Sequence, residues 1–394
     1  MRTIPCSTFN FLIKSMLLRI PNFYDNFRCI ANKCTDTCCI GWEIDIDENS
    51  AKRYAKIKGD FGDRLRNNIE NGHFKLLPGD RCPFLRQDGL CDMICHLGES
   101  SLCNICREHP RFIEVYGDIM ERGLGLCCEE AARLLLDTKG TASSPIAFVE
   151  REINDEPDDI PDDARTARDV IFEERDYLFQ ILADSTRPLN ERLVEIINFS
   201  VETNYTEFCE PDSTPSSSPN YEDNNRTAAD NETQNLNSIL KSWIATLGKG
   251  ESFGPAWDSA YKKLLLAPKD SSTRTSNSKV SSIGLFTERD GEKIIAYLLF
   301  RYYAKSLFDG NSLAKVQFAI YFWIILQKFG DILAKVSDTP PETSPSDTST
   351  AKIEAIKLLS KQTEYSEEIM SLLVDEFMKN PIFSLENFKK ILTE

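Results

Sequence analysis

Four cysteines lie within eleven residues near the start of the chain, in the stretch C-I-A-N-K-C-T-D-T-C-C-I-G-W from Cys29 to Trp42. Seven more follow between positions 82 and 128, so eleven of the thirteen cysteines in the 394 residues lie between Cys29 and Cys128. Thiolates bind zinc and iron–sulfur clusters, and a protein gathers them where it builds such a site. Cysteines on loops converge on a metal more easily than cysteines along one helix. The segment is therefore predicted to be a loop-rich metal-binding module.

The spacing of these cysteines favours metal binding over disulfide bonds. They occur as CC, CxxC and CxxxC, whereas a secreted disulfide scaffold is usually short and its cysteines pair off. The chain has only three histidines, so a site built from this inventory is mostly or wholly thiolate. We therefore expect a reducing, cytoplasmic environment.

Eight cysteines are candidate metal ligands, and a zinc site or one cluster takes four of them. Eight candidates allow one centre with spare thiols, or two centres. Neighbouring side chains diverge, so a packed thiol is an alternative for one member of each adjacent pair, at 38–39 and 127–128. The eight candidates are Cys29, Cys34, Cys38, Cys39, Cys82, Cys91, Cys106 and Cys128.

Apolar periodicity predicts a mainly α-helical fold for the rest of the chain. Two helices, near 287–308 and 312–336, are apolar almost all round and are expected to form the buried centre of a helical bundle. Ile44 and Ile46 alternate with acids, as in a short half-buried strand, and residues 140–166 are expected to be irregular.

The chain is divided by these patterns into five parts. They are a probable N-terminal extension (1–15), the Cys-rich module with short strands and loops (16–140), a helical segment (141–210), a disordered linker (211–235) and the helical bundle (236–394), with flexible loops at 268–282 and 337–350.

Composition and missing motifs exclude several classes of function. Acidic residues number 62 against 46 basic ones, and a net charge of −16 disfavours nucleic acid and membrane surfaces as partners. No apolar run approaches the roughly 20 residues of a membrane-spanning helix. No P-loop, G-x-S-x-G or H-E-x-x-H is present, and no G-x-G-x-x-G follows a strand. The C-x3-C-x2-C of radical S-adenosylmethionine enzymes also fails, because its third position is Gly41.

On these residues the chain resembles the flagellin lysine-N-methylase family of bacteria, whose N-terminal part is similar to a wider CxxCxxCC group of iron- or zinc-chelating domains. Two softer matches, YLLFRYYAKSLFDGNSLAKVQFA and YSEEIMSLL, lie near the C-terminus. The matching N-terminal stretches are FRCIANKCTDTCCIGWEIDID (27–47), CPFLRQDGLC (82–91), the C-x-x-x-P-R that ends at Arg111, and LCCEEAARLLL (126–136).

The resemblance implies an enzyme that transfers methyl groups from S-adenosylmethionine to lysine ε-amines of flagellin. It also implies a [4Fe–4S] cluster in the cysteine region, with zinc as the alternative metal. The family-pattern cysteines coincide with the eight candidates, and Cys95, Cys103 and Cys127 are additional. The partner expected from the family is flagellin.

The methyl-donor and catalytic residues are less defined by the sequence. Arg111 is a candidate for binding an anionic group such as the donor's carboxylate, with a structural salt bridge as the alternative. His109 stands where the family leads us to expect an aromatic residue. Tyr297, Tyr302 and Glu292 are guesses for the group that deprotonates the substrate lysine, with core packing as the alternative for the tyrosines.

Two other classes of function remain open at this point. One is a non-enzymatic metal-binding or metal-delivery protein, and the other is an electron-transfer protein that uses the cluster. Tight binding of S-adenosylmethionine would favour the enzyme over both.

Overall fold

A computed structural model describes residues 15–206, 235–266, 284–336 and 345–394. The predicted extension, the predicted linker and the predicted loop at 268–282 lie outside these ranges, apart from residues 15 and 235, so their predictions stay untested. The described helices are α1 (Glu48–Tyr54), α2 (Gly59–Asn67), α3 (Asp92–Leu97), α4 (Asn104–Glu108), α5 (Glu129–Asp137), α6 (Asp162–Ala183), α7 (Leu189–Thr206), α8 (Leu236–Thr246), α9 (Pro255–Leu266), α10 (Glu288–Tyr302), α11 (Ser306–Asp309), α12 (Ser312–Val336), α13 (Pro345–Glu364), α14 (Glu367–Lys379) and α15 (Leu385–Thr393).

One mixed four-stranded sheet packs beside these helices. Its strands are β1 (Met16–Pro21), β4 (Arg111–Tyr116), β5 (Ile119–Leu124) and β6 (Phe148–Ile153); β2 (Ile69–Glu70) and β3 (His73–Phe74) pair separately. The order in the sheet is β4-β5-β1-β6. Strand β1 pairs in parallel with β5 and antiparallel with β6, while β4 and β5 form an antiparallel pair.

Strand β6 corrects two expectations, because it lies inside the stretch 140–166 expected to be irregular and inside the segment 141–210 expected to be helical. Its middle residues are exposed on both faces, so the sequence lacks the alternation that marks a half-buried strand. It is ordered by backbone pairing to β1 at the edge of the sheet, and this pairing has no local sequence signal.

The prediction of a mainly helical fold is confirmed. Helices α10 and α12 lie at the centre, with Ile294–Phe300 and Phe318–Leu326 buried along their whole circumference. The large core that surrounds them also includes residues of α5 to α9 and α13 to α15. No helix among the described residues is long and apolar enough to cross a membrane.

Helix α13 begins at Pro345, so the predicted flexible loop at 337–350 is wrong for its last six residues. Proline, serine and aspartate are common in the first turn of a helix, where backbone N–H groups have no partner within the helix. The same residue types favour a loop when they are considered without the helix that follows them.

The cysteine-rich segment has a separate small core, which contains eleven buried residues. Ile44 and Ile46 are both buried in it, and the strand predicted there is reduced to one isolated bridge between Asp45 and His73. The loops of this segment also carry the short helices α3 and α4. The buried residues are Ile44, Ile46, Tyr54, Leu65, Phe74, Cys82, Phe84, Leu85, Met93, Leu102 and Cys103.

Candidate functional site

One cavity of about 470 Å³ lies between the small core and the C-terminal helices. Its walls include Ile44 and Phe84 of the small core on one side, and Lys361 and Tyr365 from α13 and its end on the other. All eleven cysteines in the described part of the chain are free thiols that line this cavity, and these are Cys29, Cys34, Cys38, Cys39, Cys82, Cys91, Cys95, Cys103, Cys106, Cys127 and Cys128.

Short backbone contacts hold the cysteine loops around the cavity. The Cys82 amide donates to the Cys39 carbonyl at 2.8 Å, and the Trp42 indole donates to the Cys38 carbonyl at 2.6 Å. Three further cysteines, at 91, 103 and 128, are the N-cap residues of α3, α4 and α5. The positive end of a helix favours a thiolate, so these N-cap positions suit metal ligands.

The first cysteine loop is tied to α5 and α13. Glu129 at the start of α5 accepts hydrogen bonds from the Thr35 amide at 2.8 Å and the Thr35 hydroxyl at 2.7 Å. Asp36 pairs with Lys361 and lies 3.7 Å from Lys357. Helix α13 therefore forms part of the site, although its lysines were not among the sequence candidates. The sequence signal for this side of the site is the four-residue spacing of Lys357, Lys361 and Tyr365, the last of which directly follows α13.

Burial keeps several of the cavity thiols protonated. It raises the pKa of Cys34 to about 11 and that of Cys82 to about 12, because a thiolate in an apolar wall loses its hydration. A hydrogen bond from Cys38 lowers the pKa of Cys39 to about 6, and one from Cys106 lowers that of Cys103 to about 7. A metal removes this burial penalty, since it supplies the positive charge and deprotonates the thiols it binds.

The cavity thiols are chemically suited to bind a metal centre. Their side chains are not, however, already arranged as a close-packed site for a single ion. Among the described residues, no three His, Cys, Asp or Glu side chains converge into a site for one metal ion. A zinc site needs four ligands at about 2.0–2.3 Å from the ion, so its sulfurs nearly touch. An iron–sulfur cluster spreads its ligands over several metal atoms, and thiols around an open cavity suit it better.

Three aromatic rings form one wall of the cavity. The Trp42 and His109 rings meet edge to face with centroids 4.8 Å apart, and Tyr365 lies 5.8 Å from Trp42 and 6.2 Å from His109. Burial, with help from the charges of Lys361 and Arg111, lowers the pKa of His109 to about 4. His109 is therefore neutral near pH 7 and serves as an aromatic ring at the position where one was expected.

The eight candidate ligands and Arg111 all line the cavity. The Arg111 guanidinium lies 5.1 Å from the centre of the Phe27 ring and donates to the Arg107 carbonyl at 3.2 Å. Neither of these two partners neutralises its charge. Its role in binding the methyl donor stays a prediction.

The three guessed catalytic residues lie in the protein interior and are not among the residues that line the cavity. The Tyr297 hydroxyl donates to the Leu124 carbonyl at 2.7 Å and accepts from the Leu124 amide. Tyr302 donates to Glu364 at 3.0 Å, and Glu292 accepts from buried Arg192 at 2.8 Å. These contacts match the alternative of a structural role in the core.

The fold and its cavity define a mainly helical protein with a thiol-lined site. The flagellar biosynthetic protein FliU of Salmonella muenchen is 30% identical to it over 135 residues, which are 32% of this chain and 80% of FliU. Two lysine-N-methylases, from Salmonella choleraesuis strain SC-B67 and Salmonella typhimurium strain LT2, are each 30% identical over 156 residues. The chain therefore belongs to the same family as FliU.

The match to the lysine-N-methylases is partial in length. It covers 37% of this chain and about 39% of each of the two enzymes. No protein-family profile matches the chain, and no solved structure matches it. Because the match is partial, lysine methylation by this chain is a proposal.

Proposed function

We propose that this protein transfers methyl groups from S-adenosylmethionine to lysine side chains of flagellin, and that its thiol-lined cavity holds an iron–sulfur cluster. The proposal rests on the convergence of all eleven described cysteines on one cavity, in a chain with relatives named lysine-N-methylase. The name of FliU as a flagellar biosynthetic protein supports flagellin as the protein substrate.

The cluster would be held by four of the eight candidate cysteines. Desolvated thiols that surround a cavity are a donor set suited to iron, and zinc is the alternative metal. Bound there, an iron–sulfur cluster supplies a redox-active centre beside the aromatic wall. Its ligands would come from separate loops between residues 29 and 128, so the cluster would also hold these loops together.

The aromatic wall suits the methyl donor. S-adenosylmethionine carries a sulfonium cation and a carboxylate, and cations bind well against the faces of tryptophan and tyrosine rings. Trp42 and Tyr365 supply such rings, and neutral His109 adds a third without a repelling charge. Arg111 on the same cavity supplies a cation for the carboxylate.

The substrate lysine must lose a proton before its nitrogen can accept a methyl group. Burial raises the pKa of Tyr365 well above its ordinary value, so this hydroxyl remains protonated near neutral pH and cannot act as the base. The exposed carboxylates of Glu43 and Glu99 also line the cavity and are the better proton acceptors for an incoming lysine.

The activity is tested by co-expressing flagellin with and without this protein and mapping methylated lysines by mass spectrometry. A Trp42→Ala variant is expected to reduce flagellin methylation, whereas Val170→Ala, at an exposed position of α6 outside the cavity, should leave methylation unchanged. Unmethylated flagellin beside intact, cluster-loaded wild-type protein would refute the enzyme and favour electron transfer or metal delivery.

The cluster is tested separately on the protein alone. Anaerobically purified protein is expected to be brown and to contain iron and sulfide in equal amounts. A colourless protein with stoichiometric zinc would contradict the cluster and leave the methyl-transfer assay to decide the rest.

A further inference from the structure

The eight candidate ligands divide into two sets of four in the structure. The inner set consists of cysteines that pack on the small core, and the outer set consists of cysteines that lie between this core and α5. The inner set is Cys39, Cys82, Cys91 and Cys106. The outer set is Cys29, Cys34, Cys38 and Cys128.

The inner set belongs to the small core by packing and by backbone pairing. Cys82 is 5% exposed inside that core, and Cys39, Cys91 and Cys106 pack against it. The Cys82 amide binds the Cys39 carbonyl, and an isolated bridge joins Leu85 to Cys91. Cys103 is a fifth thiol of this core and hydrogen-bonds with Cys106, but it is not one of the eight candidates and is left as the spare thiol of this set.

The outer set is organised by α5 and by the first cysteine loop. Cys128 is the N-cap of α5 and packs against the large core instead of the small one. The next residue, Glu129, has a carboxylate oxygen 3.6 Å from the Cys34 sulfur. Cys29 and Cys38 are exposed on the same loop, and each interacts electrostatically with Cys128.

The adjacent pair Cys38–Cys39 stands at the boundary between the sets. The two thiols are hydrogen-bonded to each other, but Cys39 packs on the small core, whereas Cys38 also interacts electrostatically with the outer thiols of Cys29 and Cys128. One ligand of the pair therefore goes to each side. This resolves the question of how two adjacent cysteines could both be ligands.

We infer that the cavity holds two thiolate-ligated metal centres, an inner one bound by Cys39, Cys82, Cys91 and Cys106 and an outer one bound by Cys29, Cys34, Cys38 and Cys128. Each set supplies the four thiolates that a zinc ion or an iron–sulfur cluster takes. The inference rests on the proposal that the cavity binds metal, but not on methyl transfer.

The two centres have different tasks. The small core has only eleven buried residues, and a core of that size usually needs a metal or disulfide to be stable. The inner centre would supply that stability. The outer centre would join the first cysteine loop to the body of the protein, beside Lys361 and the aromatic wall.

The test counts metal in the full chain after anaerobic purification. We compare wild type with Cys34→Ser, Cys91→Ser and the double variant, and measure iron, sulfide and zinc per chain. Wild type should hold two centres, with about eight iron atoms if both are [4Fe–4S] clusters. Each single variant should lose one centre and keep the other, and the double variant should lose both. Cys95→Ser, at an exposed thiol in neither set, is the matched control and should keep both.

Two results would overturn the inference. One is a single variant that removes all the metal, since one shared centre predicts this. The other is wild-type protein with metal for one centre only. If Cys91→Ser does not fold, Cys34→Ser and Cys38→Ser decide alone, because both must keep the inner centre. Since the readout is metal, two centres in a protein that leaves flagellin unmethylated would refute the enzyme but support this inference.

Discussion

The small core and the large core of this protein are stabilised by different means. The helices around the small core have five to nine residues, and two of its eleven buried side chains are cysteines. The large core is built on helices of 15 and 25 residues, whose central turns are buried on all sides. Isolated helices shorter than about 12 residues are marginal in water. The large core is therefore stabilised by apolar burial, whereas the small core depends on what its thiols bind.

The two regions also differ in how their ionisable side chains are neutralised. In the large core, Arg175 is fully buried and donates to both oxygens of Glu121, at 2.6 and 2.8 Å. This pair joins α6 to β5, and each charge is neutralised by the other. In the thiol cavity the ionised cysteines would all carry negative charge, so buried thiols such as Cys34 and Cys82 stay protonated unless they bind a metal.

Removal of the metal should produce the largest difference in stability between the two cores. If chelation under anaerobic conditions removes the metal centres, the free energy of unfolding of the small core should fall by several kcal/mol. This is less than the metal-binding free energy of zinc-finger peptides, which is roughly 10–16 kcal/mol. Amide hydrogen exchange should then rise by orders of magnitude in α1 to α4, while α10 and α12 stay protected. Equal loss of protection in α10 and α12 would show that the two cores unfold as one unit.

The next largest effect is expected from the buried ion pair of the large core. Glu121→Ala leaves the Arg175 charge buried without a partner and should lower the free energy of unfolding by about 3–5 kcal/mol. Urea denaturation followed by circular dichroism measures this. The double variant Glu121→Met, Arg175→Met is the control and should be clearly more stable than Glu121→Ala. A loss below about 1 kcal/mol in Glu121→Ala would show that water reaches the pair.

A smaller effect is expected at the aromatic wall, to which both regions contribute. Trp42 comes from the first cysteine loop and Tyr365 from the end of α13. Cation–π contacts contribute about 0.5–2 kcal/mol, so Trp42→Ala and Tyr365→Ala should each weaken S-adenosylmethionine binding by about 2- to 30-fold. Calorimetry measures this, with the phenylalanine variants as controls that retain most affinity. Unchanged affinity in both alanine variants would place the donor elsewhere.

The sequence predicts the parts of this comparison that depend on local pattern. The apolar faces of 287–308 and 312–336 are long and continuous, so the buried helices at the centre are visible without a structure. The cysteine spacing likewise predicts a thiol site. Strand β6 cannot be predicted from the sequence, because it is stabilised by pairing with β1, which lies more than 120 residues earlier.

Which residues form the site depends on contacts between distant parts of the chain, and local sequence patterns do not predict such contacts. His109 and Tyr365 share one wall although 256 positions separate them in the chain. The assignment of Cys38 and Cys39 to two sets depends on the packing of Cys39 against the small core and on the interaction of Cys38 with Cys128, which packs against the large core. The cysteine spacing alone is compatible with either one or two metal centres. The packing of the cysteine loops favours two.

The smallest predicted effect compares one kind of hydrogen bond in the two regions. Asp47 caps α1 by accepting from the Ser50 amide at 2.9 Å, and it also accepts from the Asn104 amide at the start of α4. Ser384 caps α15 by accepting from the Asn387 amide at 3.3 Å. Loss of an N-cap costs typically about 1 kcal/mol, so Asp47→Ala and Ser384→Ala remove similar free energies.

The two variants should differ in where this loss is measured. Ser384→Ala should lower the stability of the large core and its cooperative unfolding transition. Asp47→Ala should instead increase amide exchange in α1 and α4, with little change in that transition. Hydrogen bonds from Ser50 lower the pKa of Asp47 to about 2, so its contribution should be present above about pH 4 and be lost as the pH falls through 2. If both variants shift the global transition equally, the small core has no separate stability, and the inner centre cannot be its main source.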